Sequence, residues 1–224
     1  MYKCPKTCHN CSQGKYCEKC DKINYFLKNS LLSDKQQVPV KLSPDADGTD
    51  LEEFKRLQKI MLNAYTFVNQ GENLYLWSNK VGNGKSSWAI KIMLSYFLQS
   101  WRGSFTIRGL FISMPKYLLE LKKAISEPNE YIVHINKYIR TADLVIWDDV
   151  SAYTKNSDFE LNNILSILDD RLNAGRSNIY TSNLSPEELN RALGSRLASR
   201  MVNKSIEIQL EGQDKRGLRE GGTN

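Results

Sequence analysis

A run of small, polar and basic residues between positions 79 and 87 could bind phosphate. It reads Asn79-Lys80-Val81-Gly82-Asn83-Gly84-Lys85-Ser86-Ser87, and it lies between an apolar stretch at 74–77 and a helical pattern. Glycines here let backbone N–H groups approach phosphate oxygens, and the lysine can reach the β- and γ-phosphates. The Ser86 hydroxyl is a suitable magnesium ligand, and the helix adds its N-terminal dipole. We therefore predict a phosphate-binding loop that holds ATP with Mg²⁺.

Asn79 occupies the position where such loops usually begin with glycine. Asparagine is one of the few residues that tolerate a left-handed backbone, so we expect the turn to survive the change.

A second chemical element is the apolar run that ends in two acids, Leu144-Val145-Ile146-Trp147-Asp148-Asp149. An acid at the end of a strand next to the loop can hold magnesium and help to activate water. We predict that Asp148 shares the magnesium with Ser86 and that Asp149 is the base, a role more often taken by glutamate. The shorter side chain predicts slow hydrolysis. Taken alone, the run could also be an ordinary strand boundary.

Three polar side chains farther along the chain could complete the site. Asn183 follows a predicted strand and could orient the attacking water, or it could belong to the cap of the next helix with Ser185. Arg196 and Arg200 are four residues apart and share a helical face. Either could be an arginine finger supplied across a subunit interface, or both could be solvated surface residues.

All five cysteines fall within the first twenty residues. Cys8-x2-Cys11 and Cys17-x2-Cys20 form two thiolate pairs, which predict structural zinc in a reducing compartment. Cys4 or His9 could replace one of these four ligands. An iron–sulfur cluster and free thiols are the alternatives.

The elements that must position these residues alternate along the chain. Predicted strands cover 73–78, 109–113, 143–147 and 178–182, and predicted helices cover 51–68, 85–101, 115–125, 131–138 and 159–173. We expect Asp50 to cap the first of these helices. Because strands alternate with helices, the fold class is α/β with a central parallel sheet flanked by helices.

Composition restricts the function further. The 224 residues carry a formal net charge of +6, and no apolar run approaches the roughly 20 residues that cross a bilayer. We predict a cytoplasmic protein with an acidic partner. The predicted division is a cysteine-rich zinc module at 1–35, a flexible linker at 36–50, an ATPase domain at 51–216 and a flexible tail at 217–224.

Five segments, in this order, resemble the DnaC/DnaI family of bacterial helicase loaders: YLWSNKVGNGKSS, GLFISMPKYLLELK, DLVIWDD, YTSNLSPEELN and LGSRLASRM. The resemblance implies an AAA+ ATPase core at about 50–215 without a large helical lid, closed by a strand at 206–208 and a basic turn at 212–216. It carries Lys85, Ser86, Asp148, Asn183 and Arg196 into their roles. It also implies a replicative hexameric helicase and single-stranded DNA as partners, with a homo-oligomer that could form on either. Gram-positive members of this family carry a zinc module that contacts helicase.

Two alternatives remain open from the sequence. Transposition ATPases of the IstB type share nearly all these motifs but act on duplex DNA, and a zinc adaptor could retain the nucleotide fold without hydrolysis. Asn79 and Asp149 favour a loader from a phage or another mobile element. Single-stranded DNA could contact Lys116, Tyr117, Lys122 and Lys123, although Tyr117 could instead pack its helix on the sheet.

Overall fold

The computed structural model describes residues 2, 9–38, 40–124, 126–127, 129–153 and 158–215. A five-stranded sheet lies at its centre. The strands are β1 (Asn73–Trp77), β2 (Gly109–Ser113), β3 (Leu144–Asp148), β4 (Ser177–Ser182) and β5 (Ser205–Gln209).

The sheet is parallel throughout, in the order β2-β3-β4-β1-β5. Parallel strands need long connections, and here helices provide them. The strands β1, β2 and β3 are buried over their first four residues, as expected for a sheet covered on both faces. The α/β prediction with a central parallel sheet is confirmed.

Ten α-helices and one 3-10 helix are described. They are α1 (His9–Ser12), α2 (Glu18–Asn29), α3 (Leu51–Leu62), α4 (Ala64–Asn69), α5 (Lys85–Ser100), α6 (Met114–Lys123), α7 (Glu130–Tyr138), the 3-10 turn (Val150–Tyr153), α8 (Asp158–Asn173), α9 (Pro186–Leu193) and α10 (Ser195–Val202).

Successive side chains of each strand enter different halves of the core. In β1, Tyr75 packs with the helices from α6 to α10, whereas Leu74 and Leu76 pack with α2, α3, α4 and α5. The two apolar layers follow directly from the alternation of side chains along a strand.

The helix predicted over 51–68 is two helices, because the chain breaks at Asn63. Asn63 has φ −109° and ψ 30°, outside the helical region, and its backbone N–H bonds to the carbonyls of Lys59 and Ile60. Asp50 does precede α3, but the prediction that its side chain caps the helix is wrong. Its carboxylate instead accepts hydrogen bonds from the Asp45 N–H (2.6 Å) and the Lys215 ammonium (2.5 Å).

Helix α2 packs into the core beside α5, although it belongs to the predicted zinc module. Ile23, Phe26 and Leu27 are buried in the same apolar cluster as Phe97 of α5, and the rings of Phe26 and Phe97 lie 5.6 Å apart. At the end of α2, the carbonyl of Ser30 accepts a 2.7 Å hydrogen bond from the N–H of Phe111 on the edge strand β2. The predicted domain boundaries remain predictions, but this helix is part of the body of the protein.

Among the described helices, none is both long enough and apolar enough to cross a membrane.

Candidate functional site

A cavity of about 440 Å³ lies at the carboxyl ends of β1, β3 and β4. Its walls include residues 81–87, Asp148, Asp149 and residues 181–183, and it is closed on other sides by residues 40–43 and by Lys215. The carboxyl ends of parallel strands are the usual ligand-binding edge of open α/β sheets. The structure thus brings the two main predicted motifs together in one cavity.

The loop after β1 has the geometry of a phosphate cradle. Gly82 (φ 78°) and Gly84 (φ 97°) adopt positive φ values that favour glycine. Asn79 is not among the described non-glycine residues with positive φ, so it fits here without the left-handed conformation that we expected. Asn79 and Lys80 are exposed and lie outside the cavity lining.

Two side chains fix the shape of this loop from within. The buried Asn83 amide donates to the Ser78 hydroxyl (2.7 Å) and to the Leu210 carbonyl (2.8 Å). The Lys85 ammonium donates to the Lys80 carbonyl (2.8 Å) and to the Asn83 side-chain oxygen (3.2 Å). Lys85 is therefore held over the concave side of the loop, at the N-terminus of α5, where an anion is stabilised by the helix dipole.

Asp148, at the end of β3, lies beside Ser86. Its carboxylate accepts a 2.7 Å hydrogen bond from the Thr181 hydroxyl. Burial raises the pKa of Asp148, and the neighbouring hydroxyls of Ser86 and Thr181 offset part of that increase. A hydroxyl and a carboxylate side by side at the cradle fit the oxygen ligands that Mg²⁺ prefers. Ser86 and Asp148 could hold that ion.

Asp149 has a left-handed backbone (φ 58°), which turns the chain sharply at the end of β3. Its N–H donates to the Thr181 hydroxyl (2.9 Å), and its carboxylate accepts a short hydrogen bond from Ser151. The Asn183 amide lies 3.4 Å from the same Ser151 hydroxyl. Asp149 and Asn183 therefore both reach the cavity and are linked through one serine.

The two predicted finger arginines lie on α10, away from the cavity lining. Arg200 forms an ion pair with Asp169 of α8 at 2.8 Å, whereas Arg196 is exposed. The preceding helix α9 begins with the predicted Ser185 cap, which forms a reciprocal capping box with Glu188.

Sequence reasoning missed four contributors to the site: Thr181, Ser151, the segment 40–43 and Lys215. Thr181 could have been found, because it lies two residues before Asn183 on a strand and so faces the same side. Ser151 lies only two residues after Asp149 and was also within reach of sequence reasoning. The contacts of the segment 40–43 and of Lys215 join residues that are distant along the chain and leave no periodic signal.

The cysteine cluster is partly described. The sulfur atoms of Cys11, Cys17 and Cys20 lie within 4.8 Å of one another, and those of Cys11 and Cys20 are 3.2 Å apart. Three converging thiols fit a soft tetrahedral metal such as zinc. The predicted ligand Cys8 and its substitute Cys4 lie outside the described residues, and His9 is not in the described group.

The DNA contact predicted on α6 is not supported at its aromatic residue. Tyr117 is fully buried and its hydroxyl donates to Asn163 (3.1 Å), so its ring cannot stack on a base. Lys122 and Lys123 pair with Glu160 and Glu120.

Comparison with known proteins identifies related sequences and folds. The chain is 22% identical to the replicative helicase loader DnaI of Bacillus subtilis (strain 168) over 227 residues, which cover 96% of this chain and 68% of DnaI. A crystal structure of the DnaC helicase loader superposes with a TM-score of 0.63 and 18% identity, covering 80% of this chain and all of that one. A structure of the replication initiator DnaA with AMPPCP and single-stranded DNA superposes with a TM-score of 0.57 and 16% identity, covering 82% and 52% of the two chains. No protein-family model matches the chain.

By these superpositions the chain has the fold of AAA+ ATPases, and in sequence and fold it resembles the DnaC/DnaI helicase loaders.

Proposed function

We propose that this protein is an ATP-dependent loader of a replicative hexameric DNA helicase. The observation that carries the proposal is the cavity in which the phosphate-binding loop, Asp148 and Asn183 converge, on a fold that superposes on a DnaC helicase loader. The similarity to DnaI supports replication initiation as the process.

Nucleotide binding in this proposal uses the residues of the cavity in defined roles. Lys85 and the loop N–H groups bind the phosphates, and Ser86 and Asp148 hold Mg²⁺, which neutralises charge on the phosphate oxygens. The DnaA structure with AMPPCP supports an adenine nucleotide as the ligand.

Hydrolysis needs a base near the attacking water. Asp149 is that base in this proposal, and Asn183 orients the water from β4. Ser151 donates a hydrogen bond to the Asp149 carboxylate and so fixes its orientation at the cavity. The short aspartate side chain in this position is the reason that we expect slow turnover. We expect the ATPase to work as a timing switch rather than a motor.

An arginine from a neighbouring subunit completes the site when several copies assemble on helicase or DNA. Arg196 is the better candidate, because Arg200 is engaged by Asp169 within its own chain. Zinc bound by Cys11, Cys17 and Cys20, with Cys8 as the fourth ligand, would stabilise the segment that contacts the helicase.

Single-stranded DNA has a candidate surface where the loop after α5 meets α2. The ammonium of Lys19 and the guanidinium of Arg102 lie over the ring of Trp101, at 5.9 and 5.3 Å from its centre. Phe105, in the same loop, is 47% exposed. Cations beside accessible aromatic rings are the combination that binds phosphate and stacks on bases.

Affinity capture from the native host tests the partner. We expect the wild-type protein to recover a replicative helicase, and recovery of a transposase without any helicase would contradict the proposal.

The rate of ATP turnover with single-stranded DNA present tests the proposed ATPase activity. Lys85→Ala should lower the rate at least 100-fold, and equal rates for the variant and the wild type would exclude catalysis at this loop.

The DNA surface has its own test. Phe105→Ala with Arg102→Ala should weaken oligothymidine binding by roughly tenfold, because one stacking platform and one phosphate contact are lost. Lys122→Ala on α6 is the matched control, and a larger loss there than at Phe105 and Arg102 would place the DNA on α6 instead.

A further inference from the structure

After β5 the chain turns back and lies across the phosphate-binding loop. We call residues 210–215 the return segment. Its Glu211 carbonyl accepts a hydrogen bond from the Lys80 ammonium (2.7 Å), and its Lys215 N–H donates to the Gly82 carbonyl (2.9 Å). Together with the bond from Asn83 to Leu210, these contacts hold the loop at three points.

The return segment also holds the chain that leads out of the N-terminal region, residues 40–50, here called the linker. The Lys215 ammonium contacts Asp50 (2.5 Å), Asp45 (3.3 Å) and the carbonyl of Ser43 (2.8 Å). The N–H of Gln213 donates to the Asp45 carboxylate (2.7 Å). Lys215 therefore connects the two segments. Its side chain contacts the linker, and its backbone N–H contacts the phosphate-binding loop.

This ion-pair cluster is largely removed from water. The side chains of Lys215, Asp50 and Asp45 are only 12%, 5% and 10% exposed. Two carboxylates share one cation, so loss of the lysine leaves two neighbouring buried negative charges without the cation that both contact. Removing one partner of a buried pair is strongly destabilising for that reason.

The same residues form walls of the nucleotide cavity. Lys215 and residues 40–43 line it together with residues 81–87. A ligand that fills this cavity would contact the linker as well as the phosphate-binding loop. Anything that binds only when the linker is in place must also hold the linker in place, because coupling between two equilibria is reciprocal.

We propose that Lys215, Asp45 and Asp50 form a latch that couples nucleotide affinity to the position of the linker, with Lys215 as a positioning residue for the phosphate-binding loop. Nucleotide binding favours the closed latch, and the closed latch raises nucleotide affinity. The linker lies between α2 and α3 along the chain, so nucleotide state changes how firmly this connection is held. This proposal rests on nucleotide binding at the site described above, but not on the identity of the partner.

The test combines a fluorescent ATP analogue with hydrogen exchange, in the full chain with Mg²⁺. We expect Lys215→Met to weaken analogue binding about tenfold, to speed exchange in residues 40–50, and to abolish the protection that nucleotide gives this segment. Lys215→Arg keeps a cation that can reach both carboxylates and should stay within about threefold of the wild type. Lys59→Met, at an exposed position on α3, is the matched control.

Several outcomes would overturn the latch. Unchanged affinity in Lys215→Met does so, and so does wild-type protein whose exchange in residues 40–50 is the same with and without saturating nucleotide. The second measurement needs no variant, so it decides the matter even if Lys215→Met does not fold. Wild-type protein that binds no analogue contradicts the proposed function and the latch together, whereas binding with an unresponsive linker overturns the latch alone.

Discussion

Two segments outside the sheet are held by opposite kinds of interaction. Helix α2 is attached by apolar side chains, among them Phe26, which is 1% exposed. The return segment begins at the buried Leu210, and beyond it is attached by hydrogen bonds and by the ion pairs of Lys215 with Asp45 and Asp50. Apolar contacts are non-directional and indifferent to a charged ligand, whereas an ionic attachment beside an anion site can respond to one. We therefore expect α2 to stay attached whether or not nucleotide is bound, and the return segment to respond to nucleotide.

The largest expected effect tests the permanence of α2. Phe26→Ala removes a buried ring that packs on Phe97, so the free energy of unfolding should fall by about 3–5 kcal/mol. Urea denaturation measures this change. Tyr16→Ala, at a side chain that is 70% exposed, is the control and should change it by less than about 0.5 kcal/mol. A loss below about 1 kcal/mol in Phe26→Ala would show that α2 is only loosely attached.

Removal of metal should have a local effect at the beginning of the same helix. Cys17 precedes α2 and Cys20 lies in its first turn. After chelation we expect amide exchange in residues 9–20 to rise roughly tenfold or more, while the buried half of α2 keeps its protection. Elemental analysis of the purified protein is the companion measurement. Protein that contains no metal, or exchange that chelation leaves unchanged, would count against a zinc site.

Gly82→Ala should disturb the contact between the phosphate-binding loop and the return segment. A Cβ atom at Gly82 would collide with the Asp214 carboxylate, and its φ of 78° strains any other residue. The conformational strain should cost roughly 1–2 kcal/mol of stability, and nucleotide affinity should also fall. Gly175→Ala is the matched control, because Gly175 has φ 63° but open space around it. If both variants lose nucleotide affinity equally, the collision with the return segment has no part in the effect.

The smallest expected effect is an increase in the stability of the ligand-free protein. Burial raises the pKa of Asp148, so its ionised form destabilises the folded protein at neutral pH, and this penalty declines as the pH falls through the raised pKa toward the ordinary value for aspartate. Asp148→Asn should therefore stabilise the ligand-free protein by roughly 1 kcal/mol and flatten that part of the pH profile, while Mg²⁺-dependent nucleotide binding is lost. Thermal melting against pH measures this, and a lower melting temperature in the variant would contradict it.

The features that could be predicted from the sequence are those formed by residues close together along the chain. The strand β3 is a continuous apolar run, and the phosphate-binding loop is a contiguous motif between a strand and a helix, so local patterns were enough for both. The break at Asn63 was missed because the apolar spacing continues across it. Ile23, Phe26 and Leu27 do have helical spacing, but the neighbouring cysteines directed the interpretation toward a separate module.

The latch could not be predicted, because its ion pair joins residues 165 positions apart. A lysine near the end of a basic chain and two aspartates in a polar stretch have no periodicity that links them. Asp50 illustrates the difficulty: at the beginning of a helix an aspartate normally predicts a cap, but here the buried ammonium of Lys215 competes successfully for its carboxylate.

The hydrogen bond from the Phe111 N–H to the Ser30 carbonyl helps to protect an edge of the sheet from aggregation. Strand β2 is an edge of the sheet, and an uncovered edge is a template for the addition of a strand from another chain. The segment that follows α2 occupies part of that edge, and α2 itself shields apolar surface next to it. A version of the protein trimmed to begin at residue 51 would expose both, and we expect it to aggregate even though every residue of the phosphate-binding loop would still be present.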